Sequence, residues 1–296
     1  MAKAENEFKM FPGCVIGNRI PFIEASARKV FDKLGISTSD AAFACCPDPV
    51  GFNSTDHFSW LAMAARNLTL AEEEGKDVIS LCNGCFQTLK LVNQELKHND
   101  HEKEKINKIL STIGREFKGT INVKHFVEII HEIGAEKIKE NIKKELPGLK
   151  VACHTGCHYN RPSEIVQTDD PMKPVKLREI VQAAGVTPVD YEEEVLCCGT
   201  GVGNTEEEPA MQILANKLDS AIKAGAEAVI VNCPACYQQF DSNQKKAGKL
   251  SGKTYGLPVL YITELLALVF GENPDDLGLK FHRIRLTALL EKYGLK

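Results

Sequence analysis

The cysteines of this chain form one pattern written twice. Cys45-Cys46 is followed after 35 residues by Cys82-x-x-Cys85, and Cys197-Cys198 is followed after 34 residues by Cys233-x-x-Cys236. A single cysteine stands upstream of each set, Cys14 in the first half and Cys153 or Cys157 in the second, so ten of the eleven thiols fit five to a half. Repetition on this scale fixes the architecture early: whatever unit the first half forms, the second forms again.

The repeat extends beyond the thiols. Val78-Ile79-Ser80-Leu81 and Val229-Ile230-Val231-Asn232 are short β-branched runs ending at the two Cys-x-x-Cys turns, and each follows a glycine, Gly75 or Gly225, that closes a helical stretch. The helical spacing of apolar residues covers 56–74 and 206–224, with Thr205-Glu206-Glu207-Glu208-Pro209 as an N-terminal cap signal. Strand, Cys-Cys turn, helix, strand, Cys-x-x-Cys turn, helix is the order of βαβ units around a parallel sheet. The fold class expected is therefore α/β, two tandem pseudo-repeated domains with cysteines at the C-terminal ends of the strands, the edge where open α/β sheets bind ligands. Pro147-Gly148, between the charged helical stretch 101–146 and a new strand at 149–152, divides the chain into domains 1–148 and 149–296. Pro12-Gly13-Cys14 aligns with Thr155-Gly156-Cys157, which places Cys153 opposite Met10, an apolar strand position. The repeat thus favours Cys157 as the fifth thiol and makes Cys153 a buried small hydrophobe.

Composition excludes several classes. A hydrophobic fraction of 43% suffices for two cores, and a net charge of -4 offers no basic surface for nucleic acid. The longest apolar tract, 257–270, is broken by Pro258 and Glu264 and is too short to span a bilayer, so no membrane insertion is expected. The first residues lack a signal-peptide stretch, which points to a cytoplasmic location with reduced thiols. In that compartment the cysteines read as metal-binding or catalytic, and an odd count suits complete disulfide pairing poorly.

Soft thiolates select zinc, copper(I) or iron–sulfur clusters. Structural zinc leaves the fifth thiol and the vicinal pairs unexplained, and a thioredoxin-like dithiol uses only one Cys-x-x-Cys. The contiguous four-cysteine run of ordinary cubane ferredoxins is absent. Five thiols per half suit a larger inorganic core, and glycines at Gly84, Gly199, Gly201 and Gly203 let backbone approach it.

A lone Cys, 31 to 39 residues, Cys-Cys, 35 or 36 residues and Cys-x-x-Cys is the signature of the cysteine-rich CCG domain, which both halves resemble with one-residue departures: 30 residues between Cys14 and Cys45, and 34 between Cys198 and Cys233. A chain of two such domains and little else is similar to the B subunits of heterodisulfide reductases. That resemblance implies a noncubane [4Fe-4S] cluster in each half, one on Cys14, Cys45, Cys46, Cys82 and Cys85 and the other on Cys157, Cys197, Cys198, Cys233 and Cys236. It implies reduction of the heterodisulfide CoM-S-S-CoB in methanogenesis. It also implies partners: the ferredoxin-like iron–sulfur protein and the flavin protein that complete such a reductase, fed by hydrogenase or formate dehydrogenase. Other oxidoreductases use the same module, among them glycolate or lactate oxidation and thiol:fumarate reduction.

Duplication has a chemical reason, since splitting a disulfide takes two electrons and iron–sulfur centres deliver them singly. The product thiols also need protons, for which His154 and His158, beside Cys157, are the candidates, with His57 further off. Arg19 and Arg161 could steer an anionic substrate, their blander reading being surface ion pairs. The stretches 257–270 and 281–290 are either partner surfaces or, as preferred, core helices.

Overall fold

A computed structural model describes residues 7–295. Its framework is two four-stranded sheets, parallel throughout. One contains β1 (Glu7–Phe11), β2 (Ser37–Ser39), β3 (Asp77–Ser80) and β4 (Val123–His125) in the order β2-β1-β3-β4. The other contains β5 (Lys150–His154), β6 (Thr187–Val189), β7 (Ala228–Val231) and β8 (Val259–Tyr261) in the order β6-β5-β7-β8. The central strands are buried on both faces, which is why β3 and β7 read as short β-branched runs. Strand register repeats too. Met10 and Phe11 pair with Ile79 and Ser80 as Cys153 and His154 pair with Ile230 and Val231, so His154 is the counterpart of Phe11.

The helices read at 56–74 and 206–224 are His57–Glu72 and Glu207–Lys223. Asp56 caps the first through Ser59 N–H at 3.0 Å. The cap signal of the second is not used: Glu206 occupies the N-cap without a side-chain bond, because Thr205 ends the preceding 3-10 turn and its hydroxyl donates to Val202 O. Each half also has a fourth strand that pattern reading passed over. The stretch 101–146 is not one helical region: helix Asp100–Ser111 is followed by β4 and then by helices Phe126–Ile133 and Ala135–Glu140. At three residues, one of them Lys124, β4 is too short to show alternation. Both fourth strands pass directly into a helix with the same cap. Glu128 Oε1 accepts from His125 N–H at 2.7 Å, and Glu264 Oε2 accepts from Tyr261 N–H at 2.7 Å.

The halves interlock reciprocally. Helix Phe126–Ile133 of the first packs on Lys176–Ala183 of the second, and Ile262–Val269 of the second packs on Pro21–Leu34 of the first. Every residue of Ile262–Val269 is buried, so the apolar tract is core. The stretch 281–290 is mixed, with Leu286, Leu289 and Leu290 buried and Phe281 65% exposed. Polar bonds pin this interface: Ser26 Oγ lies 2.7 Å from Thr263 Oγ1, Asn83 Nδ2 donates to Thr155 O at 2.8 Å, and Gln87 Nε2 donates to Arg161 O at 2.7 Å.

Tyr261 ties the arrangement at its centre. Its buried hydroxyl is shared between Leu81 O and Asn232 O, the carbonyls that precede the two Cys-x-x-Cys turns. Tyr261→Phe leaves both carbonyls without that donor in a dry interface and is expected to cost about 1–3 kcal/mol. Urea unfolding of the metal-free variant checks this; an unchanged midpoint would show that the hydroxyl does not hold the turns together.

Candidate metal centre

In a parallel sheet every strand delivers its following loop to one edge, and here that edge collects the thiols. Cys14 opens the helix after β1, Cys45-Cys46 lie in the loop after β2, and Cys82 is the N-cap of helix Asn83–His98 after β3, with Cys85 in its first turn. Cys157, Cys197-Cys198, Cys233 and Cys236 follow β5, β6 and β7 in the same way, Cys233 capping Pro234–Ser242. Both of those helices direct their N-terminal dipole ends and free N–H groups at the thiols, which favours bound negative charge.

The loops are held by buried polar side chains. Asn67 accepts from Ala44 N–H at 2.8 Å and donates to Cys45 O at 3.0 Å, while Thr88 donates to Pro47 O at 2.9 Å. In the second half the fully buried Lys217 donates to Glu193 O. Gly199 N–H donates to Cys197 Sγ at 3.3 Å, and Thr200 Oγ1 lies 3.1 Å from Cys198 Sγ.

Thiol contacts run through both halves. Cys46 and Cys85 sulfurs are 2.8 Å apart, and Cys85 reaches Cys82. Cys157 meets Cys197, Cys197 meets Cys198, Cys198 meets Cys236 and Cys236 meets Cys233. Cys82 and Cys233 are within hydrogen-bonding reach of each other, so the chains of thiols from the two halves join at the interface. Cys14 and Cys45 form the exposed end, with Cys45 close enough to feel Cys14 and Asp48. Cys153 stands apart inside β5, fully buried, its thiol pushed up by desolvation.

Crowding sets the protonation of these sulfurs. Cys197 is held down to about 2 because it accepts from Cys157 and Cys198, and Cys82 is lowered by Cys233 and Cys85. Their neighbours move the other way. Cys157 is raised first by its bond to Cys197, and Cys85 first by its bond to Cys46. A metal cation would neutralise crowded thiolates, and its binding would release the remaining protons.

The residues fit an iron–sulfur core of several atoms. Five soft donors per half exceed a tetrahedral zinc set. Gly13, at φ 79°, leaves space that a Cβ would fill, 2.8 Å from Cys85 Sγ, and Gly156, also at φ 79°, places a hypothetical Cβ 3.5 Å from Cys236 Sγ. The ring of His154 is fully buried, and a nitrogen lies within 4.8 Å of Cys198 and Cys236 Sγ, which are equally close to each other. Neither ring nitrogen has a well-formed hydrogen bond; only the Glu194 backbone approaches.

His158 is half-buried, with Nδ1 3.8 Å from where a Cβ on Gly84 would sit, inside the opposite half's Cys-x-x-Cys turn. His57 is exposed and bonded to Asn53 and Glu95. Arg161 donates to Pro171 O, and Arg19 lines an open groove of about 550 Å³ with Tyr237 and Arg283; neither makes an ion pair among the described residues. Reading by sequence missed the Gly13 and Gly156 cradles, Asn67 and Lys217. Extending the repeat alignment along the helices would have paired the last two.

The cysteine-rich CCG domain profile matches at residues 8–90 and 151–241. The chain belongs to the CCG family. Among its relatives, the B subunit of the ferredoxin:CoB-CoM heterodisulfide reductase of Methanosarcina mazei is 38% identical over 291 residues, 97% of each chain. A protein of Archaeoglobus profundus described as like the B subunit of heterodisulfide reductase is 33% identical over 278 residues, 92% of this chain and 93% of that one. The membrane anchor subunit of the 8-methylmenaquinol:fumarate reductase of Wolinella succinogenes is 30% identical over 285 residues, 96% of this chain and 99% of that one. No helix among the described residues is long and apolar enough to cross a membrane. A hypothetical protein from Helicobacter pylori shares the fold at a TM-score of 0.75 and 17% identity, over 95% of this chain and 52% of that one, so this CCG protein spans about half its length.

Proposed function

We propose that this CCG protein is the subunit of a heterodisulfide reductase that reduces CoM-S-S-CoB to the thiols coenzyme M and coenzyme B in methanogenesis. Domain 1–148 would hold a noncubane [4Fe-4S] cluster on Cys14, Cys45, Cys46, Cys82 and Cys85. Domain 149–296 would hold a second on Cys157, Cys197, Cys198, Cys233 and Cys236. The observation that carries this reading is the Tyr261 hydroxyl shared by the carbonyls before Cys82 and Cys233, which supports two sites that are neighbours across one interface. When bound, the clusters supply two single electrons and thiophilic iron on either side of a disulfide.

The chain's own residues orient and protonate. Tyr261, Asn83 and Gln87 fix the two halves against each other, which keeps both sites at one separation from a bound disulfide. Cleavage to two thiols consumes two electrons and two protons. His158, half-buried at the interface, would donate one of the protons, whereas His154 is closed off from solvent. Electrons would arrive from the reductase's ferredoxin-like iron–sulfur protein and its flavin protein, with hydrogenase or formate dehydrogenase upstream, in the cytoplasm.

The test is anaerobic turnover with a reduced viologen dye, counting thiols released from CoM-S-S-CoB. Two thiols per disulfide are expected, with fumarate and glycolate inert. In His158→Ala, kcat is expected to fall about 10²-fold with little change in KM. Loaded protein that ignores the heterodisulfide while turning over fumarate would instead favour a part in fumarate reduction, the reaction of the complex to which the Wolinella relative's name assigns it.

A further inference from the structure

The two sites differ at equivalent positions close to their sulfurs. His154 replaces Phe11, at the same offset that relates Cys157 to Cys14. Lys217 replaces Asn67, at the 150-residue offset that relates the helix-closing glycines Gly225 and Gly75. Thr200 replaces Asp48, at the offset that relates Cys198 to Cys46. The replacements keep the loop-holding role: Asn67 grips the Cys45 loop and Lys217 grips Glu193 O ahead of Cys197. What changes is polarity and charge.

These three changes act in one direction, while Glu194, which stands where the N-terminal half has Ala42, is paired with Arg178 at 3.0 Å. Lys217 brings a fully buried amine, where Asn67 is neutral: desolvation lowers its pKa, and Cys198, Glu193, Cys236 and Cys197 favour its charged form. His154 brings a ring nitrogen to Cys198 and Cys236, where Phe11 offers only carbon. As a hydrogen-bond donor to sulfur or as a neutral ligand, an imidazole raises the potential of an iron–sulfur centre. Thr200 sets a hydroxyl 3.1 Å from Cys198 Sγ, whereas Asp48 adds an anion near Cys45. Reduction makes a centre more negative, so positive charge and donors favour it and an anion opposes it, most strongly where water is excluded. Lys217 and His154 are buried and carry more weight than Asp48, which is exposed.

We propose that the two sites hold centres of unequal reduction potential, the C-terminal one the higher, because His154, Lys217 and Thr200 stand where the N-terminal half has Phe11, Asn67 and Asp48. The inequality directs the order of filling: the first electron settles in the C-terminal half and the second in the N-terminal half. This inference rests on both sites carrying the iron–sulfur centres of the proposed function.

The experiment is an anaerobic redox titration followed by electron paramagnetic resonance. It compares the full protein with Cys46→Ala, which retains the C-terminal centre, and Cys198→Ala, which retains the N-terminal one. The centre retained in Cys46→Ala is expected to titrate at the higher potential. His154→Phe and Lys217→Asn, which install the N-terminal counterparts, are each expected to lower that midpoint alone. The shift expected is at least tenfold in the reduced-to-oxidised ratio at a fixed potential, about 59 mV for one electron. Lys217→Arg keeps the charge and is expected to keep the midpoint, which separates electrostatics from disturbed packing. Coincident midpoints in two loaded centres, or the higher one in Cys198→Ala, would overturn the inference and leave the proposed function standing. Iron-free protein after anaerobic preparation would remove both.

Discussion

Cys198→Ala is expected to abolish heterodisulfide reduction, by at least about 10³-fold in kcat, while the spectroscopic signature of the N-terminal centre persists. The reason is electron count. A disulfide reduced by one electron leaves a sulfur radical, and the partner site that would supply the second electron and receive the second sulfur is gone. Cys198 is the right position to remove because its sulfur lies amid Cys197, Cys236, Thr200 and the His154 ring, at the middle of the second thiol set. Cys153→Ala is the contrast. Cys153 is fully buried within β5 and none of the other thiols acts on it, so both centres are expected to load. Turnover retained in Cys198→Ala, with its second centre shown to be absent, would refute a mechanism that needs two.

Gly13→Ala is expected to empty the N-terminal site and reduce iron to about half. An alanine at φ 79° and ψ 163°, a conformation essentially reserved for glycine, costs about 1–3 kcal/mol in backbone strain alone, and its Cβ would lie 2.8 Å from Cys85 Sγ and 3.7 Å from Cys82 Cβ. Gly35→Ala isolates the second effect. Gly35 has φ 74° and nothing within 4 Å of its hypothetical Cβ, so that variant pays the strain without intruding on a sulfur. Both variants are expected to lose stability in urea, Gly13→Ala the more, while only Gly13→Ala loses iron. Equal iron in both would show that the cradle at Gly13 is not needed for loading.

Much of this was legible in the sequence because thiols are rare and their spacing repeats. The strands that end at Cys82 and Cys233 announced themselves by β-branched runs buried on both faces, and the Pro12-Gly13-Cys14 alignment put Cys153 in the register position of Met10 that strand pairing then showed. What stayed hidden was either too short or depended on contacts distant in sequence. β4 has three residues and carries a lysine, so it leaves no period. Tyr261 belongs to an apolar tract in which nothing marks its hydroxyl as a clasp for carbonyls 29 and 180 residues away. The Thr205 cap signal failed because a 3-10 turn claimed the hydroxyl. Lys217 sat on an amphipathic helix where a lysine ordinarily faces water, and only the fold shows it sealed behind the second site.

The most direct measurement is the iron, acid-labile sulfide and zinc content per chain of protein purified without oxygen. Two four-iron centres require about eight iron and about eight sulfide, with negligible zinc. One or two zinc ions and little iron, with oxygen shown to have been excluded throughout, would contradict the account and make the paired thiol sites structural.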